Sequence, residues 1–283
     1  VLGILLAAPV IASARVLLSY IVSKLLDEDP FPQPEAPEPL AVTWRGYLRG
    51  HPIAAVLFDL DGTLTPIIDD PSGTRISVDV RERMVRLCSL ADVAILTGRA
   101  REDARSRLGF DPRFIVGNHG AEGIPGQEER ERVYAGLCRN WEDQLRVLLP
   151  GSPRSGIVIE NKGVSLSAHY RKAPRRSAAR REILQAVQQI TPRPREVPGK
   201  CVENILPADA LHKGEALLRI MALAGSDRAV FVGDDETDED VFRMRNDRIL
   251  GIRVGDGLSG QAAFFLSDQK KIARLLDEIL EAL

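Results

Sequence analysis

Apolar positions along the chain fall into short blocks separated by longer amphipathic stretches. The blocks AAVLF (54–58), DVAIL (92–96), RFIV (113–116), AVFV (229–232) and LGIRV (250–254) are apolar on both faces and end in polar or glycine-rich loops. Runs this short, without alternation, predict buried parallel strands. Between them the pattern takes the helical period. Ser77 can cap a helix that carries Val80, Met84, Leu87 and Cys88 on one side. Residues 213–224 bring Ala216, Leu217, Ile220, Met221 and Ala224 to one face, and Gly225 supplies a stop. Ile272, Leu275, Leu276, Ile279, Leu280 and Leu283 repeat at the same spacing. Strands alternating with helices predict an α/β fold built on a three-layer, Rossmann-like parallel sheet.

The rhythm breaks in the middle. Residues 130–149 have a helical pattern, and GIVIE (156–160) and VSLSAHY (164–170) flank Asn161-Lys162-Gly163, a hairpin signal. A helix near 176–190, a Pro-rich stretch at 191–198 and a short strand near 201–206 follow. This order predicts a small α+β domain at 125–207, inserted into a core formed by 41–124 and 208–283.

The N-terminus differs from the rest. Residues 1–22 are almost wholly apolar, interrupted by Pro9 and Arg15. A spanning helix needs about 20 such residues, and a central Arg costs about 2.5–3.5 kcal/mol on insertion scales. Segment 1–26 therefore reads equally as a docked apolar helix or as a membrane segment. It loosely resembles the last membrane helix of a family of bacterial permeases, which would make it a remnant of a fused or neighbouring protein. Membrane contact is expected only through residues 1–22. Residues 27–39 hold five prolines and five acidic residues with no basic one, so 27–40 reads as a semi-rigid linker.

Composition narrows the class. With 44% hydrophobic and 28% charged residues the chain is an ordinary globular protein, and a net charge of -2 gives no global attraction to nucleic acid. Cys88, Cys138 and Cys201 are odd in number and widely spaced, which reads as reduced thiols in the cytoplasm. A monomer acting on a small molecule is expected.

The chemistry concentrates at strand ends. LFDLDGTLTP places Asp59 and Asp61 directly after an apolar run, where open α/β sheets bind ligands. Carboxylates crowded there repel one another, and a hard divalent cation with oxygen ligands removes the conflict. VFVGDDETDED puts six acidic side chains into positions 234–240 after a second buried run. A charge run is usually a solvated face, but this one starts where the strand stops. Thr97, in LTGRA, can donate to a phosphoryl oxygen, and Lys213, in HKGEAL, opens a helix whose N-terminus favours anions. Taken singly, the TGR turn and the lysine are weak signals.

Together, these four segments resemble the four motifs of haloacid dehalogenase phosphatases, whose fold is a Rossmann-like sheet with an inserted cap. The resemblance implies that Asp59 is the nucleophile, Asp61 the acid and base, and Thr97 and Lys213 the groups that stabilise transferred charge. It also implies a magnesium ion (Mg2+) at Asp59, Asp61 (through its backbone carbonyl), Asp234, Asp235 and Asp238. VGNHGAEG (116–123), ENKGVSLSAHYR (160–171) and GDDETDEDVF are similar to the trehalose-6-phosphate phosphatase branch. That similarity implies a sugar-phosphate substrate gripped by Glu160, Lys162 and Arg171, with Gly98, Arg99, Asn118 and His119 at the core–cap junction. The chain departs from the branch at Asn204 and Leu206, where glutamate and arginine are usual, and at His212, where Asp or Asn is usual. A phosphatase for sucrose phosphate or mannosyl-3-phosphoglycerate, or a non-catalytic membrane-tethered sugar-phosphate-binding module, remain the alternatives.

Overall fold

The computed structural model describes residues 38–39, 55–68, 73–149, 155–255 and 260–283. The apolar segment at 1–26 and all of the expected linker except Glu38–Pro39 lie outside the described residues.

Buried β-rich runs form the expected strands. The main sheet holds β1 (Glu38–Pro39), β2 (Ala55–Phe58), β3 (Asp92–Leu96), β4 (Phe114–Val116), β9 (Ala229–Gly233), β10 (Ile249–Val254) and β11 (Phe264–Leu266), ordered β1-β11-β10-β9-β2-β3-β4. Every pairing is parallel. Both faces are covered, as an all-parallel sheet requires. On one side Val56, Phe58, Ile95 and Val232 pack against α1 (Val78–Cys88), α2 (Arg101–Leu108) and α7 (Ile272–Ala282). On the other, Leu57, Leu96 and Phe231 meet α5 (Lys213–Ala224) and the short α6 (Glu239–Phe242). Ser77 caps α1 through Val80 N–H, as its position suggested, and Gly225 ends α5 in the left-handed region.

The inserted segment builds a second, antiparallel sheet of β5 (Val158–Asn161), β6 (Leu166–His169), β8 (Val202–Leu206) and β7 (Arg195–Gly199), in that order. Helices α3 (Glu128–Leu148) and α4 (Arg176–Val187) cover one face, burying Trp141, Leu145 and Ile183 against Leu166, Ala168 and Ile205. Asn161 Oδ1 accepts from Gly163 N–H and Lys162 N–H donates to Ser165, closing the hairpin.

Four elements escaped the pattern. In α2 only Ala104 and Leu108 are buried, so it shows no apolar stripe. Strand β7 runs through the stretch read as Pro-rich, and Pro198 is tolerated because β7 is an edge strand. Strand β1 takes two residues of the expected linker onto the sheet edge, and β11 has only three residues. Among the described residues no helix is long and apolar enough to cross a membrane.

The chain leaves the main sheet after β4 through the turn Asn118–Gly120 and returns through Leu211 and His212 into α5. These two crossings touch: a Cβ on Gly120 would stand 2.8 Å from the Leu211 carbonyl.

Candidate active site

Register alone assembles the site. Strand β2 lies between β3 and β9, with Phe58 level with Ile95 and Val232. The residues that follow these strands, Asp59, Thr97 and Asp234, therefore emerge at one sheet edge. Asp59 is buried, as are Thr97, Lys213 and Asp238.

Lys213 is the hub. Its Nζ donates to Asp59 Oδ1 at 2.8 Å and Asp238 Oδ1 at 2.7 Å, with 1% of the residue exposed. The backbone sets it there. Lys213 opens α5, and His212 caps that helix by accepting from Gly214 N–H and Glu215 N–H, while the Glu215 carboxylate accepts from His212 N–H. A capping nitrogen thus replaces the oxygen usual at that position. Asp238 Oδ2 accepts from the N–H groups of Asp234 and Asp235, which folds the acidic run back over the strand end.

One oxygen each from Asp59, Asp234 and Asp238 lies within 4.8 Å of the others, a set able to hold a cation. Thr63 donates to Asp234 Oδ1 at 3.2 Å. Gly62, at φ +88°, allows this approach, since a Cβ there would fall 2.1 Å from Asp234 Oδ2. Burial, then the charges of Asp238 and Asp235, push the Asp234 carboxyl up to about 7 against the pull of Lys213. Burial also raises Asp59 well above the ordinary carboxylate range, against Lys213 and with the three neighbouring carboxylates. Burial alone would lower Lys213, but Asp238 and Asp59 overcome it and hold the ammonium well above its ordinary value.

Two further carboxylates beside this cluster are engaged by neighbouring groups. Asp235 accepts from Thr237 N–H and Oγ1, capping the turn at 236–238. Asp61 is gripped by both arms of Arg99, at 2.6 and 2.7 Å. Arg99 also holds Asp103, which binds Arg107 in turn. The guanidinium that the resemblance assigned to substrate thus pairs with Asp61 and Asp103 in this structure.

The junction with the inserted sheet is polar. Asn118, wholly buried, donates to Glu122 and accepts from Ser165 Oγ at 2.6 Å, joining the main sheet to the hairpin. Lys162 Nζ donates to the Gly98 carbonyl at 3.2 Å. The His119 ring lies against Gly98, and burial with Lys213 and Lys162 nearby pushes it down to about 3, so it is neutral; its Nδ1 is buried with no partner. Glu160 pairs with His169, whereas Arg171 reaches the Lys200 carbonyl. Glu203, next to Asn204, lies under α4, bound to Arg180, while Asn204 holds Ser167 and Val197 on the opposite face. Ser165 and Glu122 escaped the sequence reading because a serine in a strand and a loop glutamate carry no distinguishing spacing.

Known proteins resemble this chain in sequence and fold. The trehalose-phosphatase family model matches residues 57–264. Trehalose-phosphate phosphatase B of Arabidopsis thaliana is 30% identical over 260 residues, covering 82% of this chain and 67% of that protein. The trehalose-phosphate phosphatase of Mycobacterium tuberculosis is 30% identical over 245 residues, 81% of this chain and 62% of its own length. The chain thus spans only about three-fifths to two-thirds of these relatives. A crystal structure of a trehalose-6-phosphate phosphatase related protein superposes with a TM-score of 0.65 at 26% identity, over 80% of this chain and 97% of that one. The C-terminal domain of the Candida albicans trehalose-6-phosphate phosphatase has the same fold, with a TM-score of 0.68 at 19% identity, over 88% of this chain and all of that one. With acidic ends on two neighbouring strands, a buried lysine between them and a family match that runs from β2 to β11, this chain belongs to the trehalose-phosphatase family.

Proposed function

We propose that the chain hydrolyses trehalose 6-phosphate to trehalose and phosphate, with a magnesium ion and an aspartyl-phosphate intermediate. The observation that carries this reading is the meeting of Asp59 with Asp234 and Asp238 around Lys213 at one sheet edge. The donor set fits magnesium: it is all oxygen, anionic and compact, as a hard divalent ion requires. Asp59 and Asp234 would hold the ion, with Asp238 anchoring Lys213 beside it. The ion would offset the repulsion between the nucleophilic carboxylate and a phosphate dianion.

The chain's own groups supply the rest. Asp59 attacks phosphorus, forming the acyl phosphate as the bond to the sugar oxygen breaks. Lys213 and the Thr97 hydroxyl balance charge on the transferring group, which is most of what phosphoryl transfer asks of a protein. Asp61 protonates the departing sugar oxygen, then takes a proton from the water that hydrolyses the acyl phosphate and restores Asp59. To do this Asp61 must leave the Arg99 fork. In this proposal 41–124 and 208–283 form the catalytic core and 125–207 the cap, with Glu160, Lys162 and Asn204 facing the sugar.

Phosphate release from a panel of sugar phosphates with magnesium tests the reading, with Asp59→Asn as the blank. Trehalose 6-phosphate is expected to be clearly preferred and the variant inactive. An equal rate on sucrose phosphate would overturn the specificity.

A further inference from the structure

The inserted sheet has two unlike faces. Leu166, Ala168 and Ile205 point to the helices, while alternation sends Glu160, Ser167, His169 and Asn204 to the other side. None of these four belongs to the apolar cluster beneath the helices. Its polar groups are ordered in pairs: Ser167 donates to Asn204 at 2.7 Å, and His169 Nε2 stands 2.8 Å from Glu160 Oε2. Glu160 is opposite Ser167, and His169 is opposite Val158, so the second pair spans the diagonal of β5 and β6. Two residues beyond Glu160 the same hairpin delivers Lys162 to the Gly98 carbonyl of the core. The face that carries the pair thus continues directly into the junction with the phosphoryl site.

We infer that His169 is a positioning residue: it holds the Glu160 carboxylate, one rotamer chosen, ready for a sugar hydroxyl. This rests on the proposed sugar-phosphate reading and extends it to a residue outside the expected grip. An ionised carboxylate only accepts, so Nε2 carries the proton and donates. The hydrogen bond, with help from Lys162, keeps the Glu160 carboxyl below its ordinary value despite partial burial. Glu160 is therefore an acceptor with one oxygen committed to His169 and the other available. Both side chains are about half exposed, at 41% and 51%, where an ion pair adds little to stability. What it does change is freedom: a free glutamate samples many rotamers, and ordering one at the moment of binding weakens affinity.

The test is a kinetic split. His169→Ala is expected to raise KM for trehalose 6-phosphate by about three- to tenfold, the cost of freezing one side chain. Its kcat, and its kcat/KM for an aryl phosphate lacking a sugar, should change by less than about twofold. His169→Gln, which keeps a donor at the same reach, should recover most of the loss. Adding His169→Ala to Glu160→Gln should cost nothing more, since the carboxylate it serves is gone. A KM unchanged in His169→Ala, or an equal loss on both substrates, would overturn the inference while leaving the sugar-phosphatase reading intact. A wild type that cleaves the aryl phosphate but no sugar phosphate would remove both.

Discussion

At the residue scale, Lys213 is the side chain on which the site's balance depends. It is buried between two carboxylates, and its removal leaves Asp59 and Asp238 facing each other without compensation. Breaking a buried pair in this way costs about 3–5 kcal/mol. Lys213→Met is expected to lower the free energy of unfolding by that amount in denaturant titrations, and to abolish turnover. A variant as stable as the parent would show that the carboxylates do not need the lysine to remain buried. The residues that carry this chemistry were legible in the sequence because each stands directly after an apolar run or opens a helix. Their partners were not. The Arg99 fork on Asp61 and the Asp235 cap on Thr237 depend on side-chain rotamers that spacing does not encode.

At the element scale, turns decide how closely the two acidic strand ends approach. Gly62 has no room for a side chain beside Asp234 and adopts a backbone conformation that disfavours one. Gly62→Ala should fold but lose the rise in Tm that magnesium gives the parent, read by thermal melts with and without the ion. A full magnesium response in that variant would place the cation elsewhere. In the inserted domain the anchor is Trp141, fully buried and donating to the Pro192 carbonyl at 2.7 Å. Trp141→Ala should cost about 3–5 kcal/mol in equilibrium unfolding, through the cavity and the orphaned carbonyl. The strongest elements, β2, β9, α5 and α7, were readable because their apolar period is unbroken. Strands β1 and β7 were hidden by prolines that only an edge position excuses, and α2 by a surface of ion pairs in place of a stripe.

At the scale of the whole molecule, stability and metal binding are linked through pH. In the metal-free protein Asp234 has its pKa pushed up to about 7, so the folded state keeps a proton that the unfolded chain releases near 4. The folded form then binds more protons at this site, and the part of its stability that Asp234 contributes falls as pH rises from about 4 to about 7. Magnesium competes for the same oxygens, so its stabilising shift should be small at pH 5 and grow through pH 7. Thermal melts across that range check both slopes, and a magnesium shift independent of pH would contradict them. The seam at Gly120 and Leu211 has a separate consequence. A module whose two chain crossings lie side by side can be exchanged without rethreading the sheet beneath it. On the proposed reading, a foreign insert grafted between those two residues should keep the Asp59–Lys213–Asp238 cluster while presenting a different surface to it.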